Sequence, residues 1–360
     1  MVETEAPSDL REEIAARVAT AAATRQPLAL RGSGSKAFYG NTEQGEPLDL
    51  TGHRGIVSYQ PTELMVTVRA GTPLRELEDA LAAEGQMLPF EPPRFGDGGT
   101  VGGAVAAGLA GPRRPFSGSV RDALLGARIV NGHGQVVRFG GEVVKNVAGY
   151  DLTRPMAGAL GTLGVLLDVS FKLLPRPVAE TTRALEAPAH GVYTRVHDAL
   201  LAGYPVTGAA HDGEQLYLRL SGAERGVRAA TEKLGGEPLD DADTFWSGLR
   251  DQTLPFFSEG ERPLWRLSLP AAADLPDVVP GAQLLDWAGQ QLWLRSDADA
   301  QSVRDAAAQR GGHATRFRGG DPAVPAFHPP AAAVSRLNRQ LKDALDPHRI
   351  LNPGRMDPQL

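Results

Sequence analysis

Between Gly96 and Asp122 the chain reads GDGGTVGGAVAAGLAGPRRPFSGSVRD, and up to Gly111 it carries no side chain larger than leucine. Backbone this bare is favoured where another backbone, a tight turn or a ligand must come close. Arg113, Arg114 and Arg121 then bring positive charge to the same stretch. Glycine accounts for 42 of the 360 residues, well above the average usage of roughly 7%. The glycines crowd into three clusters in the first half, at 31–40, 96–118 and 126–164. They follow no collagen-like period and are separated by apolar runs, so the clusters belong to a folded domain rather than to a flexible tract.

The length suggests two domains. A net charge of −6 makes nucleic acid a poor partner. No apolar run approaches the roughly 20 residues a membrane-spanning helix needs, so no transmembrane segment is expected. The acidic start MVETEAPSDLREEIAAR lacks the apolar core of a signal peptide. The expected location is the cytoplasm, with any membrane association supplied by a partner. The chain has no cysteine, which excludes disulfides, thiolate catalysis, a cysteinyl-flavin link and a thiolate-held iron–sulfur cluster on this chain.

Hydrophobic periodicity predicts a first helix over 9–24, opened by a capping box from Asp9 to Glu12. A second helix follows, with Thr72 as cap, Pro73 at its first position, a stripe of Leu74, Leu77 and Leu81, and Gly85 as stop. DALLGARIVNGHGQVVRFGG reads as a hairpin. Pro175 and Pro177 mark the expected end of the first domain. Beyond them, strands near 205–211, 215–221, 264–269, 282–288, 291–296 and 313–318 surround helices near 222–234 and 298–310, the pattern of an antiparallel α+β sheet of ferredoxin-like type. A final helix over 330–345 carries Val334, Leu337, Leu341 and Leu345 on one face. No internal repeat is visible in the sequence.

Two glycine loops carry candidate chemistry. RGSGSK, from Arg31 through Gly32, Ser33, Gly34 and Ser35 to Lys36, can turn successive N–H groups onto a phosphate oxygen; the same string also suits an ordinary glycine–serine turn. It is neither a Rossmann fingerprint nor a P-loop. The second loop, Gly99, Thr100, Val101, Gly102 and Gly103, offers another phosphate-cradling backbone and a hydroxyl. The small residues after it, among them Gly108, suit a helix packed on a planar ligand or on a sheet.

The order RGSGSK, TVGGAVAAGLAGPRRPFSGSVRDALLG, GGEVVKNVAGYDLTRPMAGALGTLGVL and LNPGR resembles the vanillyl-alcohol-oxidase type (PCMH-type) flavoproteins. Within them it is similar to the FAD-binding accessory subunits of bacterial glycolate oxidases. The resemblance implies an α+β chain: a two-subdomain FAD-binding domain over 1–177, an antiparallel α+β cap over 178–329, and a C-terminal helix and tail over 330–360 that return to the FAD domain. It implies two diphosphate loops at 32–35 and 100–103, and a flavin-side segment at Ser117, Gly118, Ser119 and Asp122. It also implies backbone contacts from Gly161, Gly164 and Val165, with Lys145, Tyr150 and Arg114 as the polar residues nearest the flavin. Many relatives attach FAD through a histidine near the first loop; none stands there, so noncovalent FAD is expected. Related D-2-hydroxy-acid dehydrogenases hold a metal with clustered histidines and a glutamate. Here His197, His211, His313, His328 and His348 lie in separate segments, so no metal and no catalytic residue is assigned. The implied role is an FAD-holding subunit beside a catalytic flavin subunit and an iron–sulfur subunit of a 2-hydroxy-acid (glycolate) oxidase. An independent flavin oxidoreductase and a structural subunit with a vestigial FAD site are the alternatives.

Overall fold

A computed structural model describes residues 8–96, 98–141, 151–258, 260–270 and 279–360. The chain divides into two compact units. The first comprises residues 1–109, 119–176 and 329–360; the second comprises 110–118 and 177–328. The backbone therefore leaves the first unit for nine residues, Ala110 to Gly118, directly after the glycine-rich helix.

The first unit runs α1 (Arg11–Thr24), β1 (Leu28–Arg31), β2 (Glu46–Asp49), β3 (Ile56–Gln60), β4 (Met65–Arg69), α2 (Leu74–Ala83), β5 (Gln86–Met87) and α3 (Val101–Ala107). After α4 (Arg114–Ser117) in the second unit, it resumes with α5 (Val120–Ala123), β6 (Leu124–Val130), β7 (Val136–Gly140), β8 (Val165–Lys172) and β9 (Leu174–Pro175). Strands β3, β4, β8, β6 and β7 form an antiparallel sheet in that order, while β1 and β2 make a separate parallel pair. At the sheet centre, β8 (VLLDVSFK) is buried over seven of its eight residues, and such a strand must be apolar on both faces. Its one buried charge, Asp168, is paired with Arg128 at 2.9 Å.

Two helix starts differ from expectation. Helix α1 begins at Arg11 with Leu10 as its cap; the Asp9 carboxylate accepts from the Arg11 N–H at 3.1 Å, which replaces the capping box. Helix α2 begins at Leu74 with Pro73 in the cap position, because the Thr72 hydroxyl instead accepts the Gly55 N–H at 2.9 Å. The stripe Leu74, Leu77 and Leu81 is buried.

The second unit holds β10 (Ala179–Glu186), α6 (Val192–Leu201), β11 (Val206–His211), β12 (Gln215–Gly222), α7 (Glu224–Leu234) and β13 (Glu237–Pro238). It continues with α8 (Ala242–Asp251), α9 (Pro255–Ser258), β14 (Leu264–Ser268), β15 (Ala282–Asp286), β16 (Gln291–Arg295), α10 (Ala300–Ala308) and β17 (His313–Arg318). One antiparallel sheet has the order β13-β10-β12-β11-β15-β16-β14-β17. Numbered within each half, the first four strands run 4-1-3-2 and the last four run 2-3-1-4. Each half thus has ferredoxin-like strand order, and the two are joined edge to edge through a single pairing of His211 with Leu285. The repeat absent from the sequence is present in the topology, since strand order can recur without shared residues.

Helix α11 (Ala332–Leu345) belongs to the first unit. Its orientation departs from the expectation from periodicity, although Leu341 and Leu345 are half-buried. Val334 is 47% and Leu337 59% exposed, whereas Lys342 is fully buried.

Candidate cofactor cleft

Four segments of the first unit line an open cleft: the loop after β1, the first turns of α3, the turn before β8 and the C-terminal turn LNPGR. The β1 loop follows a parallel pairing that ends at Arg31 and Asp49. Among the described residues, the N–H groups of Gly32, Ser33, Gly34 and Ser35 have no hydrogen-bond partner in the chain. Gly34 has φ +79° and open space around it, so the loop turns where only glycine turns cheaply. Successive unpaired amides of this kind form a nest for an anion.

Helix α3 contributes proximity rather than donors. Its first N–H groups are already used: Val101 donates to Thr72 O (2.9 Å), Gly102 to Ala70 O (2.7 Å) and Gly103 to Thr100 Oγ1 (3.2 Å). The glycines let the helix press on β4 and on the β1 loop. A Cβ on Gly102 would stand 2.7 Å from Ala70 Cβ, and one on Gly32 would stand 2.4 Å from Thr100 Oγ1. The turn before β8 is tied to α3 by Gly158 N–H to Val105 O (2.9 Å) and Leu160 N–H to Ala106 O (2.8 Å).

The C-terminal turn closes the group. Asn352 accepts the Leu30 N–H on Oδ1 at 2.7 Å and donates from Nδ2 to Leu160 O at 2.6 Å, so one side chain joins β1 to the turn before β8. Arg355 donates to Asn41 O and, at 2.8 Å, to Ala37 O, holding the far end of the β1 loop. Burial pulls the Arg355 guanidinium below its ordinary pKa, and Glu43 opposes that shift. Arg31 pairs with Glu43 at 2.9 Å, and the Lys36 ammonium lies 5.6 Å from the centre of the Phe95 ring. Three cationic side chains and one carboxylate among the described residues therefore face the cleft. Unpaired amides plus net positive charge suit an extended anionic ligand such as a diphosphate.

Of the residues singled out from the sequence, Arg31, Gly32, Ser33, Gly34, Ser35, Thr100, Gly102, Gly103, Gly161 and Gly164 line this cleft. Gly99, Val101, Gly108 and Val165 adjoin those segments without being part of the lining. Gly108 ends α3 in the left-handed region, where a Cβ would meet Gly158 Cα at 2.8 Å. Ser119 and Asp122 form the capping box of α5, with Asp122 Oδ2 accepting from Ser119 N at 2.9 Å and from Ser119 Oγ at 2.7 Å. Ser117 and Gly118 belong to the second unit, as does Arg114, whose guanidinium stacks 4.2 Å from the Trp287 ring centre. Lys145 and Tyr150 lie outside the described residues. Lys36, Glu43, Asn352 and Arg355 were not assigned from the sequence, although LNPGR stands out as a turn string with Pro and Gly adjacent.

Residues 9–140 match the family model described as an FAD binding domain. The glycolate oxidase subunit GlcE of Escherichia coli K12 is 48% identical over 352 residues, covering 98% of this chain and 99% of that one. The chain belongs to the GlcE family. Its architecture is α+β, as expected. The glycolate oxidase subunit GlcD of Bacillus subtilis is 33% identical over 160 residues, 44% of this chain and 34% of that one. A solved alkyldihydroxyacetonephosphate synthase superimposes with a TM-score of 0.68 at 16% identity, over 96% of this chain and 75% of that one, which shows a shared fold. Among the described residues no helix is long and apolar enough to cross a membrane.

Proposed function

We propose that this chain is the FAD-binding subunit of a multi-subunit glycolate (2-hydroxy-acid) oxidase, working beside a catalytic flavin subunit and an iron–sulfur subunit. The observation that carries the reading is the Gly32–Ser35 loop, whose four amides have no partner among the described residues and which lines a cleft together with Arg31, Lys36 and Arg355. The cleft fits the diphosphate of FAD, with the β1 loop supplying donors and the glycines of α3 and of the turn before β8 admitting close approach. Bound FAD would bring to the subunit an acceptor of hydride or electrons. The match to GlcE over the full length supports assignment to the oxidase, and the shared stretch with GlcD supports a partner of related fold.

The side chains at hand support noncovalent attachment. No cysteine exists, and no histidine is among the lining residues. His53 is buried and accepts the Leu10 N–H on Nδ1 at 3.0 Å. Without a cysteine the chain also lacks thiolate ligands for a cluster, so electrons leaving a bound flavin need a separate carrier.

The test is purification of the chain alone. A flavin absorption band, released into the supernatant on acid precipitation, is the expected result. Flavin that stays with the precipitated polypeptide contradicts noncovalent binding. A colourless protein that FAD cannot reconstitute contradicts the cofactor reading.

A further inference from the structure

We propose that Lys342 is a positioning residue of the cofactor cleft, an inference that rests on the FAD reading above. Its side chain is 0% exposed, and so is that of its partner Asp346. The ammonium donates to Thr162 O at 2.7 Å, Leu351 O at 2.9 Å and Asp346 Oδ2 at 2.7 Å. The carboxylate of Asp346 also accepts the Ile350 N–H at 3.2 Å and the Leu351 N–H at 2.8 Å. Two of the ammonium's three bonds therefore end on the residues next to Gly161 and Asn352, both of which line the cleft.

The two turns meet only through tertiary contacts, 192 residues apart in the chain at the Leu160–Asn352 bond. Asn352 cannot bridge Leu30 and Leu160 unless both turns are held in register. Lys342 holds them from beneath, by backbone carbonyls, without reaching the cleft itself. A buried ion pair is a poor source of stability, because desolvation offsets most of the attraction and apolar pairs of similar volume often serve as well. An apolar residue at 342 would leave the carbonyls of Thr162 and Leu351 without a donor. What the pair supplies in particular is direction: an ammonium has three donors, and each is aimed at a different segment.

Three proteins separate this role from a merely structural one: Lys342→Met, Asn352→Ala and the double variant, each titrated as apoprotein with FAD by flavin fluorescence, with melting temperature followed in parallel. Lys342→Met is expected to raise the FAD Kd about ten-fold or more in the folded protein. The double variant is expected to bind no more weakly than the weaker single variant, because Lys342 acts through the turn that carries Asn352. Additive losses, or an unchanged Kd with a lowered melting temperature, overturn the proposal. If Lys342→Met does not fold, Lys342→Gln, which keeps two donors on a side chain one atom shorter and gives up the charge, takes its place and is expected to raise the FAD Kd in the same direction; failure of both to fold overturns the positioning role in favour of a structural one. A wild-type chain that binds no FAD overturns the parent reading as well, and that outcome is visible before any variant is made.

Discussion

Gly32 and Thr100 touch so closely that a Cβ on the glycine would lie 2.4 Å from the threonine hydroxyl oxygen. That hydroxyl is the cap of α3, accepting the Gly103 N–H. The anion loop and the glycine-rich helix are therefore pressed together through one oxygen atom. Gly32→Ala must displace either the cap or the loop. Loss of a helix cap costs about 1 kcal/mol, and movement of the loop misaims its amides. The expected outcome is a modest fall in melting temperature and a rise in FAD Kd of about ten-fold. Thr100→Ala in the Gly32→Ala background should restore part of the binding by removing the clash, which FAD titration of the pair checks.

Gly102 is confined differently. Its Cβ would meet Ala70 Cβ at 2.7 Å and Ala70 O at 3.0 Å, and neither can turn aside. Gly102→Ala is expected to destabilise the first unit by about 1–3 kcal/mol, the range for overpacking a close-packed contact. Gly102→Asp adds repulsion toward a diphosphate and should abolish FAD binding. Denaturant unfolding of the alanine variant separates the steric cost from the charge effect.

Trp287 fixes the nine-residue excursion within the second unit. Its indole N–H donates to Gly111 O at 3.0 Å, and Arg114 lies over its ring. Trp287→Phe removes the hydrogen bond and weakens the cation–π contact, each worth about 1 kcal/mol. The expected consequence is faster tryptic cleavage after Arg113, the Arg114–Pro115 bond being resistant to trypsin, read by mass spectrometry of early fragments. Equal cleavage rates in variant and wild type would mean the segment is held by other contacts.

Tyr217 supplies a test at high pH. Burial, and then its hydrogen bond to Asp212 Oδ2 at 2.7 Å, push the phenol up to about 12 from an ordinary 10.0. The protonated phenol is the donor, so its contribution to stability is complete below pH 10 and is lost as pH rises through about 12. Tyrosinate absorbance should show a late step that Tyr217→Phe removes and Asp212→Asn moves to lower pH.

The sequence by itself determined the local elements and the location of the glycine loops. Leu74, Leu77 and Leu81 are buried because a helical stripe needs only its own period to be recognised. The strands at 206–211, 215–222, 264–268, 282–286, 291–295 and 313–318 agree with their apolar runs for the same reason. What the tertiary structure decided lies in contacts between distant segments. Helix α11 exposes Val334 and Leu337 and buries Lys342, because the energy of an ammonium bonded to Thr162, Asp346 and Leu351 depends on residues that periodicity does not count. The pairing of Ala110 to Gly118 with the second unit, the bridge by Asn352 and the clamp by Arg355 are decided in the same way. The Thr72 hydroxyl does not cap α2 because Gly55, brought close by the fold, offers it a different N–H. Local pattern reports which faces avoid water, while the partners of a buried polar atom are set by whatever the completed fold brings within reach.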